Sequence, residues 1–536
     1  MGKEESTSIS RHADEASVSA TLDTGNGKRA VNGENKGFFV MALVSFSLAF
    51  CALCAAFLYL DSNGIVPGRI LAKAIIAAGI VILLNAALVI LSRRSKAAAL
   101  ICTAVCVVIT IASLIGVFLL YKYNESMGEI EKDKEYYAYV GVYVKRGSRF
   151  EPVTVEPKLK IQQPYKVPGD DLDGCDVGTM LINVDNGYAS QAIRMYRKNH
   201  DINVIACDDF GSMIDALRND EVDAIIYNEA YMSVFLGDDS DFFEWAVEID
   251  RIGIESEHTA LAKTADVVSE PFIVYISGID TTDSAGVDED TFPSIARSDV
   301  NIIAAVDPVK KKILLVNTPR DYYVPLWGRS NAMDKLTHAG VYGIDASIST
   351  LESFYDIEIN YYVRTNVFSL VKIVDALGGI TVHSDFEFYA PSGTGEYRRF
   401  HVGENEIDGI GALCFIRERH SFENGDVQRG IHQQEVIRAI IEKACSPAIV
   451  AHFTDVLKVV TSSVETNVSR EEINALIKMQ LSDMASWTLE TVSVDGTGSY
   501  ENSYAIGRDS DPVWVMIPNE NNVKKAKEAL DVFMAG

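Results

Sequence analysis

Three long stretches near the start of the chain contain no charged residue. They cover residues 37–60, 74–92 and 97–121. A helix of about 20 apolar residues crosses the hydrocarbon core of a bilayer, whereas a buried helix of a water-soluble protein seldom lacks charge over such a length. The pattern therefore predicts three transmembrane helices within residues 37–121.

The distribution of basic residues predicts how these helices are oriented. Arg93, Arg94 and Lys96 lie between the second and third stretches, whereas residues 61–69, between the first and second, are poor in positive charge. Because short loops rich in Lys and Arg stay in the cytoplasm, the chain after the third helix is expected outside the cell. Residues 1–36 are polar with almost no aromatic side chains, which indicates a disordered cytoplasmic tail.

Apolar runs alternate with amphipathic stretches in residues 137–265, which follow a charged connector over residues 122–136. Strand-like runs at 177–183, 203–207 and 222–228 are each followed by a helical pattern. This alternation predicts an accessory α/β domain with a small parallel sheet. The region resembles part of one lobe of a periplasmic solute-binding protein, but no second lobe follows. A structural or docking role is therefore favoured over solute binding.

Residues 270–515 form a second α/β region in the sequence pattern. Residues 301–306 and 312–316 are strand-like and flank a turn, which predicts a hairpin. A long amphipathic helix is expected over residues 426–444, and a C-terminal helix over residues 516–536.

Charge is unevenly distributed along the chain. The formal net charge is −27, but residues 123–536 carry −31, because residues 1–36 contribute −1 and residues 37–122 contribute +5. So acidic a region repels polyanions, which argues against nucleic-acid binding. Any local cluster of arginines in it stands out as a candidate site.

A single disulfide bridge could join Cys175 to Cys207, and the sequence does not decide whether it forms.

Two aspartates lie at predicted strand ends. Asp280 ends one strand, and Asp299 stands at the start of the next. Neighbouring strands would bring both carboxylates to the same end of the sheet. Carboxylates together with phosphate oxygens usually hold Mg²⁺ in proteins. The alternative is that both aspartates only cap turns.

Arginines are concentrated near the predicted long helix. Arg417 and Arg419 alternate, so they share one face if the chain is extended there. Arg429 and Gln433 stand four residues apart on one face of the helix that Asp426 is expected to cap. Guanidinium groups bind phosphate oxygens in pairs, which suits a pyrophosphate. Structural ion pairs are the alternative.

Taken together and in this order, these motifs resemble the LytR-CpsA-Psr family of bacterial cell-wall enzymes over residues 270–445. The motifs are Gly278-Ile-Asp280, Arg297-Ser-Asp299, Pro319-Arg320-Asp321, Lys335-Leu-Thr-His-Ala339 and the set Arg417, Arg419, Arg429 and Gln433. The resemblance implies an α/β/α sandwich with a hydrophobic tunnel for a polyprenyl tail. One departure is His432, where the family often has a further arginine. With one fixed positive charge fewer, the affinity of the site for pyrophosphate and its pH dependence are left open.

The resemblance also implies an activity and its residues. It implies a Mg²⁺-dependent phosphotransferase in the plasma membrane of a Gram-positive bacterium, which attaches a polyprenyl-pyrophosphate-linked glycopolymer (teichoic acid, capsule or similar) to peptidoglycan. Asp280 and Asp299 would face the metal, and these two with Arg320 and Arg417 are the candidate catalytic residues. The pyrophosphate would be held by Arg297, Arg320, Arg417, Arg419, Arg429 and Gln433, with Lys335 at the periphery. A hydrolase of the same lipid, or a membrane sensor or transcription attenuator, are alternatives.

Overall fold

The computed structural model describes most of the chain outside its N-terminal tail. The described residues are 36–130, 137–150, 172–180, 187–236, 241–255, 263, 265–279, 295–391, 397–422, 425–446, 449–506 and 512–536. They form two compact units, one within residues 1–125 and 477–483, the other comprising residues 126–476 and 484–536. Nearly all of the predicted tail, part of the connector and Asp280 lie outside the described residues.

The first unit contains three long apolar helices. They are α1 (Lys36–Asn63), α2 (Gly68–Ser92) and α3 (Lys96–Ile130). By length and composition each can cross a membrane, which confirms the predicted spans. Most residues in the buried cluster between the helices are small, namely Ala42, Ala49, Ala99, Cys102 and Cys106, and Val89 completes it. Small side chains let helix backbones approach closely where lipid supplies no hydrophobic driving force.

The accessory domain is built on a five-stranded sheet in the order β3-β2-β4-β1-β5. Its strands are β1 (Tyr137–Lys145), β2 (Asp176–Thr179), β3 (Asn203–Ala206), β4 (Ala224–Asn228) and β5 (Ala246–Glu255). Strand β2 runs parallel to β3 and β4, as predicted, but β1 runs antiparallel to β4 and β5. Strands β1 and β5 were not predicted, and they make the sheet mixed, because β1 pairs with strands about 80 to 120 residues away in the sequence.

Helices cover both faces of the accessory sheet. They are α4 (Tyr188–Tyr196), α5 (Phe210–Arg218), α6 (Glu229–Leu236) and the short α7 (Phe242–Trp245). Helix α4 packs on one face, whereas α5 and α6 pack on the other. The core on that second face continues into the following domain through Val341 and Ala505. No disulfide bridge joins Cys175 to Cys207, the pairing that the sequence did not decide.

The rest of the second unit is the larger α/β domain. Its strands are β6 (Phe272–Ile279), β7 (Ser298–Asp307), β8 (Lys312–Asn317), β9 (Tyr323–Pro325), β10 (Met333–Lys335), β11 (Tyr361–Asn366), β12 (Ile380–Ser384), β13 (Phe388–Pro391), β14 (Tyr397–Phe400), β15 (Gly403–Ile407), β16 (Glu465–Thr466), β17 (Thr488–Ser493), β18 (Gly496–Glu501) and β19 (Val513–Pro518). Its helices are α8 (Ile344–Tyr355), α9 (Val367–Ala376), α10 (Gly409–Arg417), α11 (Gly425–Cys445), α12 (Ile449–Ser463), α13 (Arg470–Asp483) and α14 (Glu520–Met534).

The central sheet has six strands in the order β16-β11-β6-β7-β8-β17. Strands β7 and β8 form the predicted hairpin, and β6 is antiparallel to β7. Strand β11 is parallel to β6. The C-terminal ends of β6, β8 and β11 and the start of β7 therefore lie at one edge of the sheet, where sites on open α/β sheets form.

Side chains alternate between the two faces of this sheet. Ile303 and Ala305 pack in one core with residues of α8 and α14, whereas Ile302 and Ala304 pack on the other face with Ile437 of α11. This is the alternation expected of a strand covered on both sides. The arrangement confirms the α/β/α sandwich.

Candidate functional site

A cavity of about 340 Å³ lies at the edge where β6 and β11 end and β7 begins, and α9, α10 and α11 close it. Its apolar lining consists of Ile276, Ile279, Val300, Val367, Leu370, Ile416, Val436 and Ile437. Its charged and polar lining includes Asp299, Arg320, Arg417, Arg419, Arg429 and Gln433. Six residues that the sequence assigned to the site are thus brought together from four separate segments.

Asp299 lies where β7 begins, next to Arg320. Its Oδ2 accepts a hydrogen bond from Nη1 of Arg320 at 3.0 Å, and its Oδ1 accepts one from the Thr337 hydroxyl at 3.0 Å. Burial by itself would raise the pKa of Asp299, but Arg320, Arg297 and Arg429 together hold that pKa well below its ordinary value. Asp299 is therefore ionised at neutral pH. Arg297 contributes to the lowered pKa of Asp299 although its side chain does not line the cavity.

Arg320 is held from a second side by its neighbour Asp321. Nε of Arg320 lies 3.2 Å from Oδ2 of Asp321, and Nζ of Lys335 lies 3.0 Å from the other oxygen. Although burial opposes it, these two cations lower the pKa of Asp321. Lys335 was expected at the periphery of the pyrophosphate site. The structure places it on Asp321, outside the cavity lining, where it supports Arg320 indirectly.

Arg417 and Arg419 are presented by the end of α10. The Asp408 side chain accepts a hydrogen bond from the Gly411 amide at 2.7 Å and caps this helix, which continues to Arg417. The condition of an extended chain is therefore not met at Arg417, and extended backbone begins only at Glu418. Both arginines nevertheless reach the cavity, because the helix ends beside it.

Helix α11 supplies Arg429 and Gln433 from one face, as their spacing predicted. The helix begins at Gly425, so Asp426 lies in its first turn and does not precede it as a cap. A Cβ atom at Gly425 would collide with the carbonyl oxygen of Arg419. This glycine thus permits the close approach of α11 to the chain that carries Arg419, a role that the sequence analysis missed.

His432 faces away from the cavity. Its ring is buried and stacks on Phe415 and Phe388, with centroids 4.1 and 5.3 Å apart. Nδ1 donates a hydrogen bond to the Phe415 carbonyl at 3.0 Å, and Nε2 accepts one from the Gln428 amide at 3.1 Å. Burial lowers the pKa of His432 to about 4, so the ring is neutral at physiological pH. His432 therefore adds no charge to the cluster of arginines.

The sequence analysis also missed the role of Thr337. This residue belongs to a 3₁₀ segment, Leu336–Tyr342, directly after Lys335. Its amide donates to the Arg320 carbonyl at 2.9 Å, in addition to the hydroxyl bond to Asp299. A hydroxyl inside the Lys335-to-Ala339 motif was the available signal, but spacing alone does not show that this segment lies against β7.

Fold and site together define a protein with membrane-spanning helices and an α/β/α domain whose cavity combines apolar walls with a cluster of guanidinium groups. Residues 245–531, more than half of the chain, match the LytR_cpsA_psr family, and the chain belongs to this family.

Several relatives of the chain share one name. The chain is 34% identical to the "Polyisoprenyl-teichoic acid--peptidoglycan teichoic acid transferase TagU" of Enterococcus faecalis over 208 residues, which are 39% of this chain and 65% of the relative. It is 32% identical to the protein of that name in Bacillus licheniformis, over 38% of this chain and 62% of the relative. The matches thus span slightly less than two thirds of these relatives. Among solved structures, B. subtilis TagV matches 50% of this chain and 98% of its own, with 26% identity and a TM-score of 0.41.

Proposed function

We propose that this protein transfers a glycopolymer from a polyprenyl-pyrophosphate carrier to peptidoglycan, on the outer face of the plasma membrane of a Gram-positive bacterium. The observation that carries the proposal is the cavity itself, where apolar walls adjoin Arg320, Arg417, Arg419 and Arg429. The relatives' names specify teichoic acid, so a teichoic acid precursor is the polymer to test first.

The two halves of the cavity lining suit the two halves of such a donor. Transfer of a hydrocarbon tail from water to the apolar wall, which includes Leu370, Ile416 and Val436, is favourable. Guanidinium groups make paired, charge-assisted hydrogen bonds with phosphate oxygens. In a region with a charge of −31, the cluster of arginines is also where an anionic head group is least repelled.

In the reaction that we propose, a sugar hydroxyl of peptidoglycan attacks the phosphorus attached to the glycopolymer. A new oxygen–phosphorus bond forms, and the bond from that phosphorus to the bridging oxygen breaks. Polyprenyl phosphate leaves with the electron pair of the broken bond. Arg417, Arg419 and Arg429 stabilise the charge that develops on the leaving phosphate, since catalysis of phosphoryl transfer depends mainly on positioning and electrostatics.

Magnesium fits the chemistry of this site through Asp299. Within the described residues no group of three or more His, Cys, Asp or Glu side chains is arranged to hold a metal. Mg²⁺, however, needs only one or two carboxylates when substrate phosphates supply further oxygens. We therefore propose that Asp299, together with the phosphate oxygens of the substrate, would hold it. When bound, Mg²⁺ would neutralise charge on the pyrophosphate.

Asp299 itself is a poor candidate for the base that takes the hydroxyl proton. Both of its oxygens already accept hydrogen bonds, and three arginines keep its pKa low. A general base works best when its pKa lies near the working pH. We assign Asp299 to positioning of Arg320 and the metal, and we propose Asp280 as the acceptor of the proton.

The proposal is tested by incubating the full-length protein with a polyprenyl-pyrophosphate-linked teichoic acid precursor, with and without peptidoglycan oligomers. Transfer predicts a polymer–oligomer adduct and polyprenyl phosphate only when oligomers are present. Release of free phosphorylated polymer without oligomers would identify a hydrolase instead. Absence of any turnover with lipid, Mg²⁺ and oligomers present would favour a sensor. Arg417→Ala, which removes one guanidinium from the cavity, serves as the inactive control.

A further inference from the structure

The accessory domain is joined to the catalytic domain through an apolar, aromatic contact. Tyr231 of α6 is fully buried, and its ring meets the ring of Tyr342 edge-on, with centroids 5.8 Å apart at 79°. Arg329 lies 4.0 Å from the centroid of the same Tyr342 ring. Val341 and Ala505 are also buried in this shared core. Tyr342 is thus held between the two domains.

Tyr342 ends the 3₁₀ segment Leu336–Tyr342, and the same segment contacts the candidate site. Thr337 binds the Asp299 carboxylate and the Arg320 carbonyl, as described above. Three residues further on, the Gly340 carbonyl accepts a hydrogen bond from the Ala296 amide at 3.3 Å. A Cβ atom at Gly340 would collide with the Ala296 carbonyl oxygen. The segment therefore lies tightly against the chain that leads into Arg297 and Asp299.

A 3₁₀ segment of seven residues depends on its surroundings. Hydrogen bonds in a 3₁₀ helix have poorer geometry than those in an α-helix, and runs beyond three or four residues are uncommon. What holds this segment in place is its tertiary packing, with six of its seven residues buried. One part of that packing is supplied by Tyr231 and Met232 of the accessory domain.

We propose that the accessory domain supports the catalytic site, with Tyr231 as a positioning residue. By packing on Tyr342 it fixes the 3₁₀ segment, and this segment holds Asp299 and Arg320 in their orientation. The inference rests on the proposed function, because that function makes the cavity an active site. The contacts of Tyr231 with Tyr342 do not depend on it. It gives residues 137–265 a role that requires no ligand of their own.

The chain offers a matched pair of tyrosines for the test. Tyr231 and Tyr196 are both buried in the accessory domain, but Tyr196 belongs to the core on the opposite face of its sheet. Tyr231→Ala and Tyr196→Ala remove the same side-chain volume, and only the first removes the contact with Tyr342. Tyr231→Phe retains the ring and is the conservative variant. All are made in the full-length protein.

The first readout is hydrogen exchange of the amides in residues 336–343 of the free protein, which needs no substrate. Tyr231→Ala is expected to speed this exchange at least about tenfold, whereas Tyr196→Ala and Tyr231→Phe leave it near the wild-type rate. The second readout is turnover of the lipid-linked precursor. The turnover number should fall by about tenfold to a hundredfold in Tyr231→Ala alone, because small misplacements of catalytic groups carry such costs.

The outcomes separate this inference from the proposed function. If the wild type transfers no polymer, the proposed function fails, and the exchange comparison still decides whether Tyr231 supports the segment. Unchanged exchange in Tyr231→Ala overturns the inference even if the wild type is active. Equal losses in Tyr231→Ala and Tyr196→Ala also overturn it, since general destabilisation of the accessory domain would then explain both. Should Tyr231→Ala not fold, Tyr231→Leu replaces it in the same comparison.

Discussion

Two arginines of the same cavity differ in what they touch. Arg320 is buried between Asp299 and Asp321, with only 11% of its side chain exposed. Arg417 is exposed at the end of α10, and within the described residues no carboxylate pairs with it. The first residue is therefore part of the protein's own electrostatic network, whereas the second is free to bind a ligand.

Alanine substitutions at these two arginines should have different consequences for stability. Arg320→Ala removes one of the partners of Asp299 and of Asp321 from a largely buried network, so we expect unfolding to become easier, by at most about 3–5 kcal/mol. Arg417→Ala should melt within a degree or two of wild type but lose affinity for the lipid pyrophosphate. Melting curves and lipid binding on both variants check this. A large fall in melting temperature for Arg417→Ala would show that Arg417 has a structural role.

His432 gives the protein a pH dependence of stability. An unfolded chain protonates a histidine below about pH 6.5, whereas the pKa of His432 in the folded protein is about 4. Between these values the unfolded state binds more protons, so stability is lost as the pH falls from about 6.5 to about 4, by roughly 3 kcal/mol. Glu418, Glu435 and Asp385 act in the opposite direction but do not overcome burial.

His432→Phe should remove that part of the pH dependence. Phenylalanine fits the slot between Phe388 and Phe415 but takes up no proton, so its unfolding free energy should change less between pH 6.5 and pH 4. Denaturant unfolding at several pH values measures the slope. His401, whose side chain is exposed, provides the control as His401→Phe. An identical slope in wild type and His432→Phe would contradict the assignment of a neutral, buried ring.

At the scale of elements, the approach of α11 to the end of α10 shapes the arginine cluster. Gly425→Ala carries no penalty in helix propensity, because alanine is the better helix former. The added methyl group, however, displaces the backbone of Arg419. We expect lipid-pyrophosphate affinity to fall by about tenfold, or 1.4 kcal/mol, with little loss of thermal stability. Gly128→Ala, in α3 where a Cβ atom meets nothing within 4 Å, is the control. Unchanged affinity in Gly425→Ala would show that Arg419 does not need its present position.

The sequence patterns predicted the elements around the site better than their contacts. The β7–β8 hairpin and the face shared by Arg429 and Gln433 follow from local alternation and spacing, and both are present. The helical conformation at Arg417 was not predicted, because it depends on Asp408, nine residues earlier, which caps the helix that reaches Arg417. Strands β1 and β5 and the contact from Thr337 to Asp299 depend on pairings distant in sequence, which no local pattern encodes.

At the scale of the whole molecule, topology decides whether the proposed substrate can be reached. Arg93, Arg94 and Lys96 predict a cytoplasmic second loop, and three spans would then place the larger α/β domain outside. A reporter that is active only outside the cytoplasm, fused after Gly536, should be active. A cytoplasmic reporter at the same position should be silent, and the reverse result would refute the proposed function.

The core that α6 shares with Val341 and Ala505 joins the two α/β domains, and we expect them to fold as one cooperative unit. Heating or denaturant should unfold residues 137–536 in a single transition that coincides for probes placed in either domain. A fragment that begins at residue 265 would expose Val341 and Tyr342 to water, and we expect it to bind hydrophobic dyes and to aggregate. Two separate transitions would show that the domains fold independently. The boundary seen in the sequence is thus a poor place to cut the chain for expression.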